Sequence, residues 1–517
     1  MKLYKRISLL LLLAVAAGWT IAASRSKSIE KEVAERLSIA EAQLNKADTV
    51  DGRVFHELPT PVSLMDSFPS FIDQSVNTIL NEEALHPFFE RLRRLEAHEV
   101  GKVTVVHIGD SHIQADLLTG RVRLLLQQRF GAVGRGFIFP YRFADTNSPL
   151  DLKAGTDAMW DYRRNIYDRS GLPLGLAGMS IQTRKQNFTM VMQIKPDGLF
   201  DYSFDKVSLY YQEGPDYFDY RLGHFKEGEK VAKPVNYTRK YHKVRSGETL
   251  SGIAQRYRCS VRQLQRWNGI RGSMIRVGQR LVVGSGGSTA SFAGKPFQEL
   301  AHVEQPNDGS SPALMSFMSE KSFDELVIKG AKHSAEQRKG LIYGISVEDS
   351  RRAGLLYHSI GVNGASFYHY NRAEFFMDQL PTLEADLVIV SLGTNEALSS
   401  GFREAGFRDE VDAFLASVRE RLPNNTAILV TTNPDALKRG RIGKTTNPIA
   451  REVLIETAEK YHAAIWDLQA IMKVSGGVQK WRAEGLSGKD LIHFTRSGYE
   501  LQGHLLYEAL MNTYELH

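Results

Sequence analysis

Cysteine is almost absent. The 517 residues contain one, Cys259, so no intramolecular disulfide can form and the fold must rest on packing alone, even outside the cytoplasm. No His, Cys, Asp or Glu cluster has metal-ligand spacing and no glycine-rich phosphate loop occurs, so the chemistry should need no cofactor and no metal. A large excess of either charge is lacking too: 65 Lys and Arg stand against 59 Asp and Glu, a net +6 that is spread out rather than clustered. That balance favours contact with anionic surfaces or polymers and gives nucleic acid no specific support. Long apolar runs are missing except at the N-terminus. There Lys2, Lys5 and Arg6 precede Ile7 to Ala23, interrupted by little except Ser8, Gly18 and Thr20. This segment, 1–23, reads as an export signal. Ala22 and Ala23 suit a signal peptidase, yet the run is nearly long enough to stay as a membrane anchor. No cysteine follows directly behind it, which excludes lipid attachment there.

The stretch that is present and organises the rest is Val103-Thr-Val-Val-His107-Ile-Gly109-Asp110-Ser111-His112. A β-branched apolar run too short for a helix breaks at Gly-Asp-Ser, the pattern of a buried strand that delivers a serine into a tight turn. An amphipathic helix precedes it (Leu85 to Glu96) and another follows (Leu117 to Phe130), which makes an α/β unit over 85–150. Upstream, 24–84 opens with Lys, Glu, Ala and Leu at helical spacing and reads as a helical spacer or linker.

From 151 to 346 the segments are short, alternating and aromatic, as in Phe188-Thr-Met-Val-Met-Gln-Ile, and predict a β-sandwich. So long an insertion cannot be an unstructured loop and must be a domain of its own. Gly284-Ser-Gly-Gly-Ser and a charged lead-in over Phe225 to Lys240 bracket a further small unit at 241–283, so the sandwich is expected at 151–240 and 284–346. Over 347–517 helices alternate with the apolar strands Leu387-Val-Ile-Val-Ser-Leu and Ala427-Ile-Leu-Val-Thr, the pattern of a parallel sheet covered on both faces. The first unit and this last stretch then form one domain, split by the insertion.

Parallel sheets place ligands beyond the carboxyl ends of their strands, which directs attention to the turns that follow them. Ser111, Gly361-Val-Asn-Gly364-Ala-Ser, Gly393-Thr-Asn395-Glu396 and Asp490-Leu-Ile-His493 occupy such turns. A serine esterase needs a base, a carboxylate to orient it and donors for the oxyanion. His493 supplies the base and Asp490 its orienting group, while the N–H groups of Ser111 and Gly364 and the amide of Asn395 supply donors. Each residue also has an ordinary structural use, such as capping a helix or easing a turn. His112 is expected to be a wall residue rather than the base, and His107 to pack within its strand.

In this order the four blocks resemble the SGNH or GDSL hydrolase superfamily, over about 100–150 and 350–517. The resemblance implies a flavodoxin-like three-layer α/β/α domain, with Ser111, Asp490 and His493 as its triad and Ser111, Gly364 and Asn395 as its oxyanion hole. Two blocks depart from the common pattern, Gly-Asp-Ser-His for Gly-Asp-Ser-Leu and Gly-Thr-Asn-Glu for Gly-x-Asn-Asp. Neither removes a catalytic group, and Glu396 is left as the acidic residue that shapes the site. The unit at 241–283 resembles a LysM domain, a βααβ module. That resemblance implies binding to glycans containing N-acetylglucosamine, such as peptidoglycan, with Gly247, Glu248, Thr249 and Ile275 along the groove and Trp267 in the core.

An SGNH domain split by a β-sandwich resembles bacterial peptidoglycan O-acetylesterases. The combination predicts an exported, periplasmic or envelope-associated serine acetylesterase that removes 6-O-acetyl groups from muramoyl residues through an acetyl-serine. An O-acetyltransferase, an acetylesterase for another polysaccharide and an inactive wall-binding scaffold are the alternatives that sequence leaves open.

Overall fold

The Val103 run is the strand Lys102–Gly109, and all but its first residue are buried, as a strand covered on both faces requires. It belongs to a seven-stranded sheet in the computed structural model, which describes residues 49–56, 58, 68–166, 170–196, 199–225, 239–257, 259, 261–285, 292, 295–437 and 447–517. Across the sheet the order is Ile79–Leu80, Ala464–Trp466, Ala427–Thr431, Leu387–Ser391, Lys102–Gly109, Gly354–Gly361 and Ala132–Gly134. Every pairing is parallel except that of Ile79–Leu80 at one edge. Ala132–Gly134 aside, the parallel strands numbered along the chain lie in the flavodoxin-like order 2-1-3-4-5. The order reverses between Lys102–Gly109 and Leu387–Ser391, so the crevice where such sheets bind ligands opens beside Ser111 and Asn395.

Period-2 alternation divides the sheet's side chains between two cores. Val103, Val105, Leu387, Ile389 and Leu429 pack against helices His86–Glu96, Leu118–Phe130 and Arg496–Leu516. Val106, Ile108, Val388, Val390 and Val430 face the opposite way, toward helices Glu404–Arg421 and Asn447–Lys460. Three α/β/α layers result, as expected.

The insertion builds two antiparallel sheets. One runs Phe297–Val303, Asp219–Phe225, Glu325–Ala331, Thr189–Ile194, Leu152–Thr156, and the other Ser311–Phe323, Phe204–Glu213, Gly340–Glu348, Met179–Thr183, Asp161–Arg164. Their facing side chains share a core in which the Tyr211 and Tyr220 rings lie 5.4 Å apart. The chain enters the sandwich earlier than the break expected after 150, because Gly136–Ile138 already pairs with Gly340–Glu348. Arg135 stands at the crossing, buried, and donates to Asp116 in the turn after Ser111 and to Asp151 at the start of the sandwich. Burial alone would raise the Asp116 carboxyl, but Arg123 and Arg135 beside it hold it down at about 2. The crossing is thus fixed by charge as well as by packing.

The nested unit pairs Arg239–Lys243 with Arg280–Ser285 around helices Leu250–Arg256 and Val261–Asn268, the expected βααβ order. Val244, Leu250, Ile253, Leu264 and Leu281 give it a core of its own, with Trp267 and Cys259 packed against it.

One expectation needs correction. The described part of 24–84 is not a helical spacer: Thr49–Val50 and Arg53–Val54 form a hairpin, and Ile79–Leu80 is an edge strand of the seven-stranded sheet. The reason is burial of Ile72 and Ile79 against the main core and of the Arg53 guanidinium against Glu348. The segment 1–23, the start of the spacer and most of both tethers of the nested unit lie outside the described residues. Among the described residues no helix is long and apolar enough to cross a membrane.

Candidate active site

Asp110 ends the central strand and caps the short helix Ser111–Gln114, accepting the His112 N–H at 2.9 Å through its side chain. Ser111 is therefore the first helical residue, and its own N–H meets no acceptor among the described residues. The neighbouring strand can end against this turn only because residue 361 is glycine: a Cβ there would lie 2.4 Å from the Gln114 nitrogen. Gln114 then braces the next loop, its Oε1 accepting the Asn363 N–H at 2.8 Å while its Nε2 donates to Thr146 and Asn147. Gly364 follows at φ +83°, and its N–H, like that of Ser111, has no acceptor among the described residues.

His493, the base expected from the sequence, arrives from the loop before the last helix. His493 Nε2 lies 3.0 Å from Ser111 Oγ, and His493 Nδ1 lies 2.7 Å from Asp490 Oδ2. Asp490 Oδ1 also accepts the N–H groups of Ile492 and His493 at 3.1 and 3.0 Å, which fixes the carboxylate before it meets the ring. Partial burial pushes the Asp490 carboxyl up, but the hydrogen bonds from His493 and Ile492 outweigh it and hold the group below the usual carboxylate value. An ionised Asp490 assigns the proton to Nδ1 and leaves the Nε2 lone pair for the serine O–H. His493 and Asp490 side chains are 47% and 48% exposed, so the site is an open cleft that water and a large substrate can both reach.

The two other histidines behave as walls. His112 is buried with Nδ1 3.0 Å from the Tyr499 hydroxyl, its ring packed 5.5 Å from that of His493, and burial lowers it to about 3. His107 lies in the core between Tyr357 and Ser391, at 2.6 and 2.7 Å.

Asn395 departs from its expected use. In this resting geometry its amide donates to Asp110 Oδ2 at 3.1 Å and to the Ala365 carbonyl at 2.8 Å, which commits both hydrogens. The reason is Asp110 itself, a fully buried acceptor that the sequence reading left without a role. Burial raises its carboxyl to about 7, against the pull of the His112 hydrogen bond and the His493 charge. Glu396 is engaged through Oε1, which accepts the Phe367 N–H at 2.8 Å at the start of the helix behind Gly364, and burial raises it to about 8. Gln114, Asn363 and Asn147, which knit the Gly364 loop to the serine turn, gave no signal in the sequence because nothing local distinguishes an amide that braces a loop from one in solvent.

In the nested unit Gly247 is exposed at φ +82°. The Glu248 carboxylate is engaged by the Arg245 N–H and by the His242 and Arg256 side chains, and Thr249 caps helix Leu250–Arg256. These two expected groove residues hold the loop's shape. Ile275 is half-buried against the small core, between the exposed Met274 and Val277.

Comparison with known proteins bears on the domains and the fold. Residues 348–501 match the model of the GDSL-like lipase/acylhydrolase family, and residues 242–284 match that of the LysM domain. Membrane-bound lytic murein transglycosylase D of Escherichia coli (strain K12) is 43% identical over 63 residues, 12% of this chain and 14% of its own length. Autolysin of Enterococcus faecalis (strain ATCC 700802 / V583) is 51% identical over 51 residues, 10% of this chain and 7% of its own. The chain thus spans no more than 14% of these curated relatives. A solved structure described as "Peptidoglycan O-acetylesterase in action, 5 min" is similar with a TM-score of 0.57 at 18% identity, covering 87% of this chain and 99% of that one, a likeness of fold.

Proposed function

We propose that this chain, with its GDSL-like acylhydrolase domain and its LysM domain, is an exported serine esterase that removes O-acetyl groups from cell-wall glycan. The substrate that fits best is the 6-O-acetyl-muramoyl residue of peptidoglycan. The observation that carries the reading is the unbroken chain Ser111 to His493 to Asp490, with the N–H groups of Ser111 and Gly364 lacking acceptors among the described residues.

His493 Nε2 takes the Ser111 proton as Oγ attacks the acetyl carbonyl. The oxyanion forms against the N–H groups of Ser111 and Gly364, and Asn395 contributes only by sharing the hydrogen it gives Asp110. The proton passes from Nε2 to the sugar oxygen, which leaves as the free hydroxyl, and the acetyl stays on Ser111. Water then gives its proton to Nε2, its oxygen attacks the acetyl carbon, and acetate departs as the proton returns to Ser111. Half-exposed His493 leaves the acyl-enzyme open to water, the acceptor that hydrolysis requires. The LysM domain supports a glycan partner in the cell envelope.

Ser111→Ala tests the assignment. It removes only the nucleophilic oxygen, and turnover of an aryl acetate is expected to fall on the order of a thousand-fold or more with the melting temperature retained. Wild-type turnover by the folded variant would remove Ser111 from the mechanism.

A further inference from the structure

The sandwich reaches the catalytic loop. Beyond its edge strand Asp161–Arg164 the chain continues into Asn165 and Ile166, and the Asn165 N–H donates to the Gly178 carbonyl at 2.9 Å. Gly178 is seated on the loop that carries Gly364: a Cβ there would lie 2.9 Å from Val362 Cγ2. The Ile166 side chain lies over Gly364 itself, with Cδ1 3.5 Å and Cγ2 3.8 Å from where a Cβ of residue 364 would stand, ordinary van der Waals distances. It is half-buried and packs against the shared core, so its position is held rather than free.

The chemistry decides which part of a substrate meets this side chain. His493 protonates the departing sugar oxygen, so the leaving group lies on the imidazole side of Ser111. The carbonyl oxygen turns toward the N–H groups of Ser111 and Gly364. The acyl chain then extends away from His493, into the space over Gly364 that Ile166 borders. Resting on the esterase reading above, we propose that Ile166, a residue of the inserted sandwich, closes the acyl side of the site and sets its preference for acetyl over longer acyl groups. The insertion thereby shapes specificity at the reacting centre.

The experiment compares kcat/KM for p-nitrophenyl acetate, propionate and butyrate in the full-length protein and in Ile166→Ala and Ile166→Leu. Removing the branched side chain is expected to raise the butyrate-to-acetate ratio about ten-fold, in the range that one or two methylenes change in an apolar pocket. Ile166→Leu, which keeps the volume, is expected to keep the acetate preference. An unchanged ratio in a folded Ile166→Ala, with Ser111-dependent turnover intact, would overturn the proposal while leaving the esterase standing. Absence of Ser111-dependent turnover of all three esters by the wild type would instead overturn the esterase reading and this inference with it.

Discussion

Two carboxyls are buried behind the Ser111 turn, and the charge of Asp110 adds to the rise of Glu396. Glu396 moves from 4.5 to about 8 and Asp110 from 3.8 to about 7, desolvation being the main cause in both. A raised carboxyl means that the folded protein keeps a proton the unfolded chain has released, so stability falls as pH rises through the interval between the two values. For Glu396 that interval runs from 4.5 to about 8. Glu396→Gln retains an acceptor for the Phe367 N–H and removes the titration. Its melting temperature relative to wild type is therefore expected to climb steadily across this interval and to level off above it. A difference that is constant with pH would show that Glu396 titrates normally. The residues that made this site legible were those whose chemistry is rare outside it: Ser111, Asp490 and His493 stand together as read. Asp110 was visible in Gly-Asp-Ser but its burial was not, since no local pattern reports how deeply a strand end is covered.

Among the elements, strands announced themselves and their junctions did not. The runs at Val103, Leu387 and Ala427 are apolar on both faces because helices cover both faces, so their buried parallel arrangement could be read directly. Ile79–Leu80 could not: two residues carry no periodicity, and their strand exists only because Ala464–Trp466 offers an edge. The crossing at Arg135 was hidden for a similar reason, since three-residue strands on either side of one arginine belong to different sheets. The serine turn depends on a junction of this kind. A methyl group at position 361 would press on the backbone of Gln114 and Ile113, which flexible side chains cannot relieve. Gly361→Ala is expected to cost about 1–3 kcal/mol through overpacking and to lower kcat as the turn carrying Ser111 shifts. Thermal melting and aryl acetate turnover measure the two effects. A variant with wild-type values for both would mean that the turn yields freely and that Gly361 does not position the nucleophile.

At the scale of the whole molecule the chain builds an α/β/α unit, a β-sandwich and the LysM domain, of which the last is the most separable. Its first and last strands pair antiparallel, Arg239 opposite Ser285, so its two ends meet and its removal leaves a short gap. With a core of its own, it can contribute by raising the local concentration of glycan rather than by touching Ser111. Replacing 241–283 with a short Gly/Ser linker is expected to leave hydrolysis of a soluble aryl acetate nearly unchanged while weakening pull-down by insoluble peptidoglycan. Equal loss on both would mean that the domain buttresses the catalytic fold. Which ester bond the protein breaks is tested most directly by acetate release from purified sacculi. Wild-type protein is expected to free acetate from O-acetylated sacculi and none from sacculi stripped of O-acetyl groups beforehand, with Ser111→Ala inactive on both. Failure to release acetate from O-acetylated sacculi, by a protein that still turns over an aryl acetate through Ser111, would contradict the assignment to cell-wall glycan.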